Sequence, residues 1–321
     1  MIVEHAGKEH GMKGYGMKRY GMKGHGVKEI GMEEHSMEQH DKREHDRKEY
    51  GMKEYSMKEH DMEEPDMEKY DRKEHAMNEV IRSLHERKSV RVFTDQEITA
   101  EQKEAILYAA MAAPTAGNQQ LYTILDIQDE ALKKRLVVTC DDQPFIARAK
   151  LVLLFCADLQ KWVDAFVEGG CEPREPGVGD LLLAVSDANI AAQNAVTAAQ
   201  SLGIGSCYIG DIMENCEIHR ELLGLPDYVF PAAMLVFGYP TRQQQERPKP
   251  ERCRLEDIVQ VDRYRRRDGA KLRRMFEKEC RHQSFEEWIQ RFCARKYDSD
   301  FSREMTRSVG VYLEAFQKAG G

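Results

Sequence analysis

A five-residue beat runs through the first quarter of the chain and sets that stretch apart from any packed fold. His10, Tyr15, Tyr20, His25, Ile30, His35, His40, His45, Tyr50, Tyr55, His60, Pro65, Tyr70 and His75 mark it. Gly, Ser or Asp usually follows each marker, and Met, Lys or Arg comes next. On an α-helix a five-residue step turns about 140° beyond a full turn, so the markers never gather on one face. On a strand an odd period throws alternate repeats to opposite faces. Leu, Val and Phe are almost absent, so burial cannot offset the entropy lost on ordering. Residues 1–76 are therefore expected to be disordered, or loosely helical in their Lys/Glu-rich second half. Their imidazoles and thioethers suit copper or nickel. A low-complexity expansion without a selected role is the preferred account of them.

At Met77 the composition changes, and the globular part is read as 77–262. Met77 to Leu84 has Val80, Ile81 and Leu84 on one helical side. Thr99-Ala100-Glu101-Gln102 has the form of a capping box, opening a helix that runs toward Ala113 and stops at Pro114. Tyr122 to Gln128 reads as a strand and Leu132 to Val138 as a helix. Lys150 to Ala157 is a continuous apolar run, the pattern of a strand buried on both faces. Asp180 to Leu202 is Ala-rich and apolar around most of its circumference, which predicts a central buried helix. Ile204 to Ile209 and Phe230 to Phe237 complete the strands. Helices and strands alternate without tight hairpin signals, so the fold class is α+β or an α/β sandwich. Residues 263–321 form a basic helical extension, with helical spacing over Lys271 to Cys280, Phe285 to Arg295 and Phe301 to Phe316. These helices are expected to dock on the core or to embrace a second subunit.

Bulk properties exclude several functions. A net charge of −8 argues against a nucleic-acid binder, which needs a basic face. The eight cysteines form no C-x-x-C pair, so neither a zinc site nor a dithiol motif is visible, and a reducing cytoplasm is the expected setting. No apolar run is long enough for a bilayer, and without an apolar h-region near the N-terminus a secretory signal is not expected. Charged residues reach 32%, which a polar tail joined to a globular part explains.

Four constellations carry chemistry. Arg87-Lys88-Ser89-Val90-Arg91 places three cations and a hydroxyl in five residues. On an extended segment Arg87, Ser89 and Arg91 point the same way, and guanidinium forks with a hydroxyl match a phosphate. A solvated basic surface is the alternative. Pro114-Thr115-Ala116-Gly117-Asn118 follows a helix end; its small residues allow close approach to a flat ligand, and Asn118 offers both a donor and an acceptor. An ordinary polar loop is the alternative there. Gly203-Ile204-Gly205-Ser206-Cys207-Tyr208-Ile209-Gly210 is glycine-rich, but it follows a helix and enters a strand, the reverse of the Rossmann order. Arg247, Lys249, Arg252 and Arg254 crowd the loop after the last strand, where they could bring a late cation to the same phosphate. His85, His219 and His282 are read as structural or exposed.

Taken in this order, from about Met77 to Val261, these pieces resemble the nitroreductase family of flavoenzymes. The resemblance rests on Arg87 to Phe93, on Ala113 to Asn118, on the helix Asp187 to Leu202 running into Gly203–Gly210, and on Phe237-Gly238-Tyr239-Pro240. It implies a sandwich with a mostly antiparallel sheet flanked by helices, a homodimer, and one FMN in each of two interface pockets. Arg87, Lys88, Ser89, Arg91 and Arg252 would hold the phosphate and ribityl chain. Pro114, Thr115, Ala116 and Asn118 would line the flavin ring, with Cys207, Tyr208, Ile209 and Gly210 approaching from another side. NAD(P)H would deliver hydride to flavin N5 and give way to a small-molecule acceptor, nitroaromatic or quinone, in ping-pong turnover. No protein acid or nucleophile is required, since the cofactor carries the hard step. Dehydrogenation, dehalogenation or flavin transfer on the same fold, and a metal-binding role for the tail, are the rival functions. The departures from the family pattern are Lys88 in place of a common arginine, Leu121-Tyr122 after the asparagine loop, and Glu251 beside Arg252.

Overall fold

The computed structural model describes residues 78–317. The pentapeptide stretch, with its expected disorder and its metal hypothesis, lies outside the described residues. Helix α1 (Glu79–Glu86) starts at Asn78, whose side chain accepts from the Ile81 N–H at 3.0 Å. Helix α2 (Ala100–Met111) starts at Thr99 with the anticipated capping box: Gln102 N–H donates to the Thr99 hydroxyl, and the Thr99 N–H to the Gln102 side chain. Strand β1 (Tyr122–Asp126), helices α3 (Glu130–Thr139) and α4 (Phe145–Arg148) and strand β2 (Leu151–Asp158) follow. Then come α5 (Gln160–Glu168), the long α6 (Val178–Ser201), β3 (Gly205–Ile209), α7 (Cys216–Leu223) and β4 (Val229–Gly238). The chain continues through α8 (Arg242–Glu246), α9 (Leu255–Ile258), α10 (Gly269–Met275), α11 (Phe285–Lys296) and α12 (Asp300–Gln317).

The four strands pair antiparallel in the order β1-β2-β4-β3. Every residue of β2 and β4 is buried, which is why both read as unbroken apolar runs rather than as alternation. Alternate residues serve two layers. Leu153, Phe155, Leu235 and Phe237 face α6, while Val152, Leu154, Met234 and Val236 face Leu136 of α3, Ile146 and Ile212. On α6 the buried positions include Ala184, Ala188, Ala191, Ala192, Ala195 and Ala199, so the helix lies close on the sheet and the large side chains come from the strands. Phe155 and Phe237 are fully buried, each stabilising the fold by about 1.5–3 kcal/mol.

Helix α12, anticipated from its spacing, is part of this core. Tyr312 and Phe316 meet Phe230 and Tyr228 edge to face, and Ser308 Oγ donates to the Met213 carbonyl at 2.7 Å while accepting the Cys216 N–H at 2.9 Å. Helices α10 and α11 form a separate small cluster, in which Trp288 stacks on Phe292 and meets Phe276 at a tilt. Helices α5 and α7 were not anticipated. Among the described residues no helix is long and apolar enough to cross a membrane.

Candidate active site

The basic segment is seated on the free edge of β3. Val90 N–H donates to the Ser206 carbonyl at 2.9 Å, and Ser89 faces Ser206 in a parallel bridge. Phe93 then pairs with Pro240, and the Thr94 N–H reaches the Tyr239 carbonyl at 2.8 Å. Two glycines make this possible. Gly205 and Gly238 are register partners on β3 and β4. A Cβ on Gly205 would lie 2.6 Å from Val90 Cγ2, and one on Gly238 would lie 2.7 Å from Phe93 Cδ1. Val90 and Phe93 therefore occupy the space of two missing side chains, and the Arg91 guanidinium lies 5.9 Å from the centre of the Phe145 ring. Burial pushes the Cys207 thiol pKa up, while Arg91, Ser89 and Arg87 pull the other way.

Arg87 is the most telling residue. Its Nε and Nη2 atoms are buried and have no hydrogen-bond partner among the described residues. Its guanidinium lies 5.8 Å from the centre of the Tyr208 ring, whose hydroxyl burial pushes up to about 12 against the opposing effect of Arg87. Leaving such donors unmet costs about 1–3 kcal/mol each, and more for a charged group. The cations after β4 gather at the same place. Lys249 Nζ donates to the His85 carbonyl at 2.8 Å, capping the end of α1, and burial depresses its pKa, with Arg252 and Arg87 adding to the effect. Arg247 Nη2 donates to the Ser89 carbonyl at 2.7 Å, and Gln244 Oε1 accepts the Arg91 N–H at 3.3 Å. Lys88, expected on the phosphate, instead donates its ammonium to the carbonyls of Gln245 and Arg247. The result is a strap of residues 244–249, from the end of α8 onward, over the basic segment, while Arg252 lines a pocket with Arg274, Phe276 and Trp288 of the C-terminal helices. Guanidinium groups in such a cluster can chemically accept an oxyanion.

The asparagine loop is built just as tightly. A short 3₁₀ turn, Ala116–Asn118, holds Gly117 and Asn118 at φ 57°, and Gln120 follows at φ 49°. Thr115 donates its hydroxyl to Asp187 of α6, and the N–H groups of Ala116 and Leu121 donate to the same carboxylate at 3.1 and 3.3 Å. From the other side α5 takes the carbonyls: Trp162 Nε1 reaches Gln119 at 2.9 Å, and Lys161 Nζ reaches Gln120 at 2.5 Å and Tyr122 at 2.7 Å. Pro114 and Asn118 are exposed, while Thr115 and Ala116 are half-buried. The sequence showed Asp187 only as a polar interruption of an apolar helix; its loop partners lie far away in the chain.

A single chain does not bring these two parts together. Tyr122 opposes Ala157 and, through it, Phe230, whereas Ser206 opposes Phe237. The asparagine loop and the basic segment therefore sit at diagonal corners of the sheet. Seven residues along β4 and three strand spacings across put Tyr122 and Ser206 roughly 25 Å apart, with the basic segment one strand further out. On the solvent side Val80, Ile81 and Leu84 of α1, Tyr108 and Met111 of α2, and Leu182, Leu183 and Ile190 of α6 leave large apolar side chains exposed.

Comparison with known proteins agrees with this architecture. The model of the Nitroreductase family matches residues 84–239. The FMN reductase [NAD(P)H] of Bacillus subtilis is 32% identical over 240 residues, covering 74% of this chain and 92% of that protein. The oxygen-insensitive NADPH nitroreductase of Salmonella typhimurium is 36% identical over 199 residues, 62% of this chain and 80% of that one. Among solved structures, B. megaterium NfrA2 superposes with a TM-score of 0.66 at 29% identity, over 75% of this chain and 98% of its own. The sheet order, the seated basic segment and these relatives together establish that the chain belongs to the nitroreductase family.

Proposed function

We propose that the chain is an FMN-dependent oxidoreductase that takes hydride from NAD(P)H and reduces a small acceptor of the nitroaromatic or quinone kind, acting as a homodimer. The observation that carries this reading is Arg87, whose Nε and Nη2 are buried without a hydrogen-bond partner among the described residues, in the segment that also holds Ser89 and Arg91. A phosphate monoester supplies the acceptor oxygens that these donors lack. Arg87, Ser89, Arg91 and Arg252 would hold it. Lys88 and Lys249 set the shape of the site through backbone carbonyls. The names of the Bacillus subtilis and Salmonella typhimurium relatives, an FMN reductase and an NADPH nitroreductase, support the same cofactor and chemistry.

Held by Arg87, Ser89, Arg91 and Arg252, FMN would supply redox chemistry between the nicotinamide and the second substrate. The protein's part is position. Asn118 offers a donor and an acceptor to the edge of the ring, with Pro114, Thr115 and Ala116 beside it. Cys207, Tyr208, Ile209 and Gly210 bring a strand edge to the phosphate-side corner. Burial raises the Cys207 thiol and pushes the Tyr208 hydroxyl up to about 12, which favours the protonated form of both.

The homodimer follows from the corners of the sheet. One flavin cannot span the gap of roughly 25 Å or more between the phosphate grip and the ring loop of one chain. A second copy, packed over the exposed apolar residues of α1, α2 and α6, would bring its asparagine loop to the first chain's basic segment. Eight unpaired cysteines suit a reducing, cytoplasmic setting.

Anaerobic stopped-flow on FMN-loaded protein tests the proposal. NADH or NADPH is expected to bleach the flavin band in one half-reaction, and a quinone or nitroarene to restore it in the next. A bound flavin that neither nicotinamide bleaches would refute it, and recovery only with a halogenated substrate would favour dehalogenation.

A further inference from the structure

The groups that hold the asparagine loop lie outside its motif, and they divide its backbone between them. Asp187, 4% exposed on α6, takes the donors. The Ala116 and Leu121 N–H groups reach it directly, and the Gln120 N–H reaches it by relay, donating at 2.7 Å to the Thr115 hydroxyl that in turn donates to Asp187. Lys161 and Trp162 of α5 take the carbonyls of Gln119, Gln120 and Tyr122. Between these two sides the loop runs through three residues with φ between 49° and 57°. Two of them, Asn118 and Gln120, carry a Cβ, which makes that conformation costly unless the surroundings impose it. The Asn118 side chain is left exposed at the tip.

We propose that Asp187, with Lys161 opposite it, is a positioning residue for the flavin: it sets loop 115–121 in its ligand-ready shape before the cofactor arrives. The inference rests on the reading that this loop borders the ring of FMN. Every group facing the carboxylate is a donor, so the position calls for an acceptor with two oxygens. An amide there would set its own N–H₂ against the loop N–H groups. A loop that must be ordered by the ligand lowers apparent affinity by the fraction of time it spends in the competent shape. Because the loop and the basic segment of one chain lie at opposite corners, Asp187 would act on the flavin held by the partner's phosphate grip.

The test uses the full chain with three variants: Asp187→Asn, Thr115→Val and, as a control, Leu136→Ala, which weakens the core on the other face of the sheet. Hydrogen exchange of the FMN-free protein is read at the Ala116 and Leu121 amides and at sheet amides such as Val152 and Val236. FMN dissociation constants are read by fluorescence titration. Asp187→Asn and Thr115→Val are each expected to speed exchange at the loop amides alone, and to weaken FMN by about tenfold, equivalent to about 1.4 kcal/mol. Leu136→Ala is expected to lower stability with FMN affinity kept. The inference is overturned if either loop variant keeps parental exchange and binds FMN within about twofold, or if exchange rises across the whole sheet. Should the parent itself fail to bind FMN, the functional reading falls, and the exchange arm alone still decides whether Asp187 orders the loop.

Discussion

Gly205→Ala puts one methyl group where the structure has no room for it. Its Cβ would lie 2.6 Å from Val90 Cγ2 and 2.8 Å from Val90 Cβ. Carbon atoms settle at about 3.5–4.0 Å, so close to 1 Å must be found. Rotation of Val90 cannot supply it, because the contact with Val90 Cβ does not depend on χ1. Val90 is 4% exposed and tied to Ser206 by its N–H, so the segment itself has to lift from β3. Overpacking of this kind costs about 1–3 kcal/mol, or roughly 2–12 °C in Tm for a domain of this size. The same lift carries Arg87, Ser89 and Arg91 away from the anion, and FMN should bind about tenfold more weakly or worse. Gly179→Ala is the matched control: it lies in α6 with nothing within 4 Å of a Cβ, and should be neutral or stabilising. Thermal unfolding of the FMN-free protein and fluorescence titration with FMN read both effects. A Gly205→Ala protein indistinguishable from Gly179→Ala in both would refute the seating argument.

Three further outcomes are expected. Burial, with Asp211, Asp141 and Glu304 facing it, pushes Glu214 up to about 7 from its usual 4.5. A carboxyl raised in this way favours the folded chain while protonated, so its contribution is complete below about 4.5 and is lost as pH rises through about 7. Glu214→Gln should therefore gain stability over the parent at pH 8 and lose that advantage by pH 5, and an advantage independent of pH would contradict the assignment. Ser308→Ala strips the partner from the buried Cys216 N–H and one from the Met213 carbonyl, and should cost about 1–3 kcal/mol in urea unfolding; a change below about 0.5 kcal/mol would mean that α12 docks by other contacts. Ile190→Asp on the exposed apolar face of α6 should yield a folded monomer by sedimentation that no longer retains FMN, whereas a monomer binding FMN normally would show that one chain completes the site.

What could be read in the sequence was set locally. Strands β2 and β4 announce themselves because both faces are covered, and Thr99 with Gln102 needs only four residues to form its box. The density of cation at Arg87–Arg91 is likewise visible without a fold. What escaped depends on strand order and on distant partners. Nothing near Asp187 in the chain signals that it collects N–H groups from residues 115–121, and nothing near Lys161 or Trp162 signals that they hold the same loop. Lys88 has the composition of a phosphate ligand, but its reach ends on two backbone carbonyls. Helix α12 was legible as a helix from its spacing, yet its place in the core depends on Phe230 and Met213, far earlier in the chain. That the phosphate grip and the ring loop stand at opposite corners follows from the order β1-β2-β4-β3, which no local pattern encodes.

A phosphate held by Arg87 and its neighbours is the defining feature of the site, and comparing FMN with riboflavin addresses it directly, because the two ligands differ by that group alone. Dissociation constants for both should be measured with the parent protein and with Arg87→Ala. The parent should bind FMN at least about a hundredfold more tightly than riboflavin, and Arg87→Ala should erase most of that gap while leaving riboflavin nearly unchanged. Equal affinity of the parent for the two ligands, or a gap that survives the loss of Arg87, would contradict it.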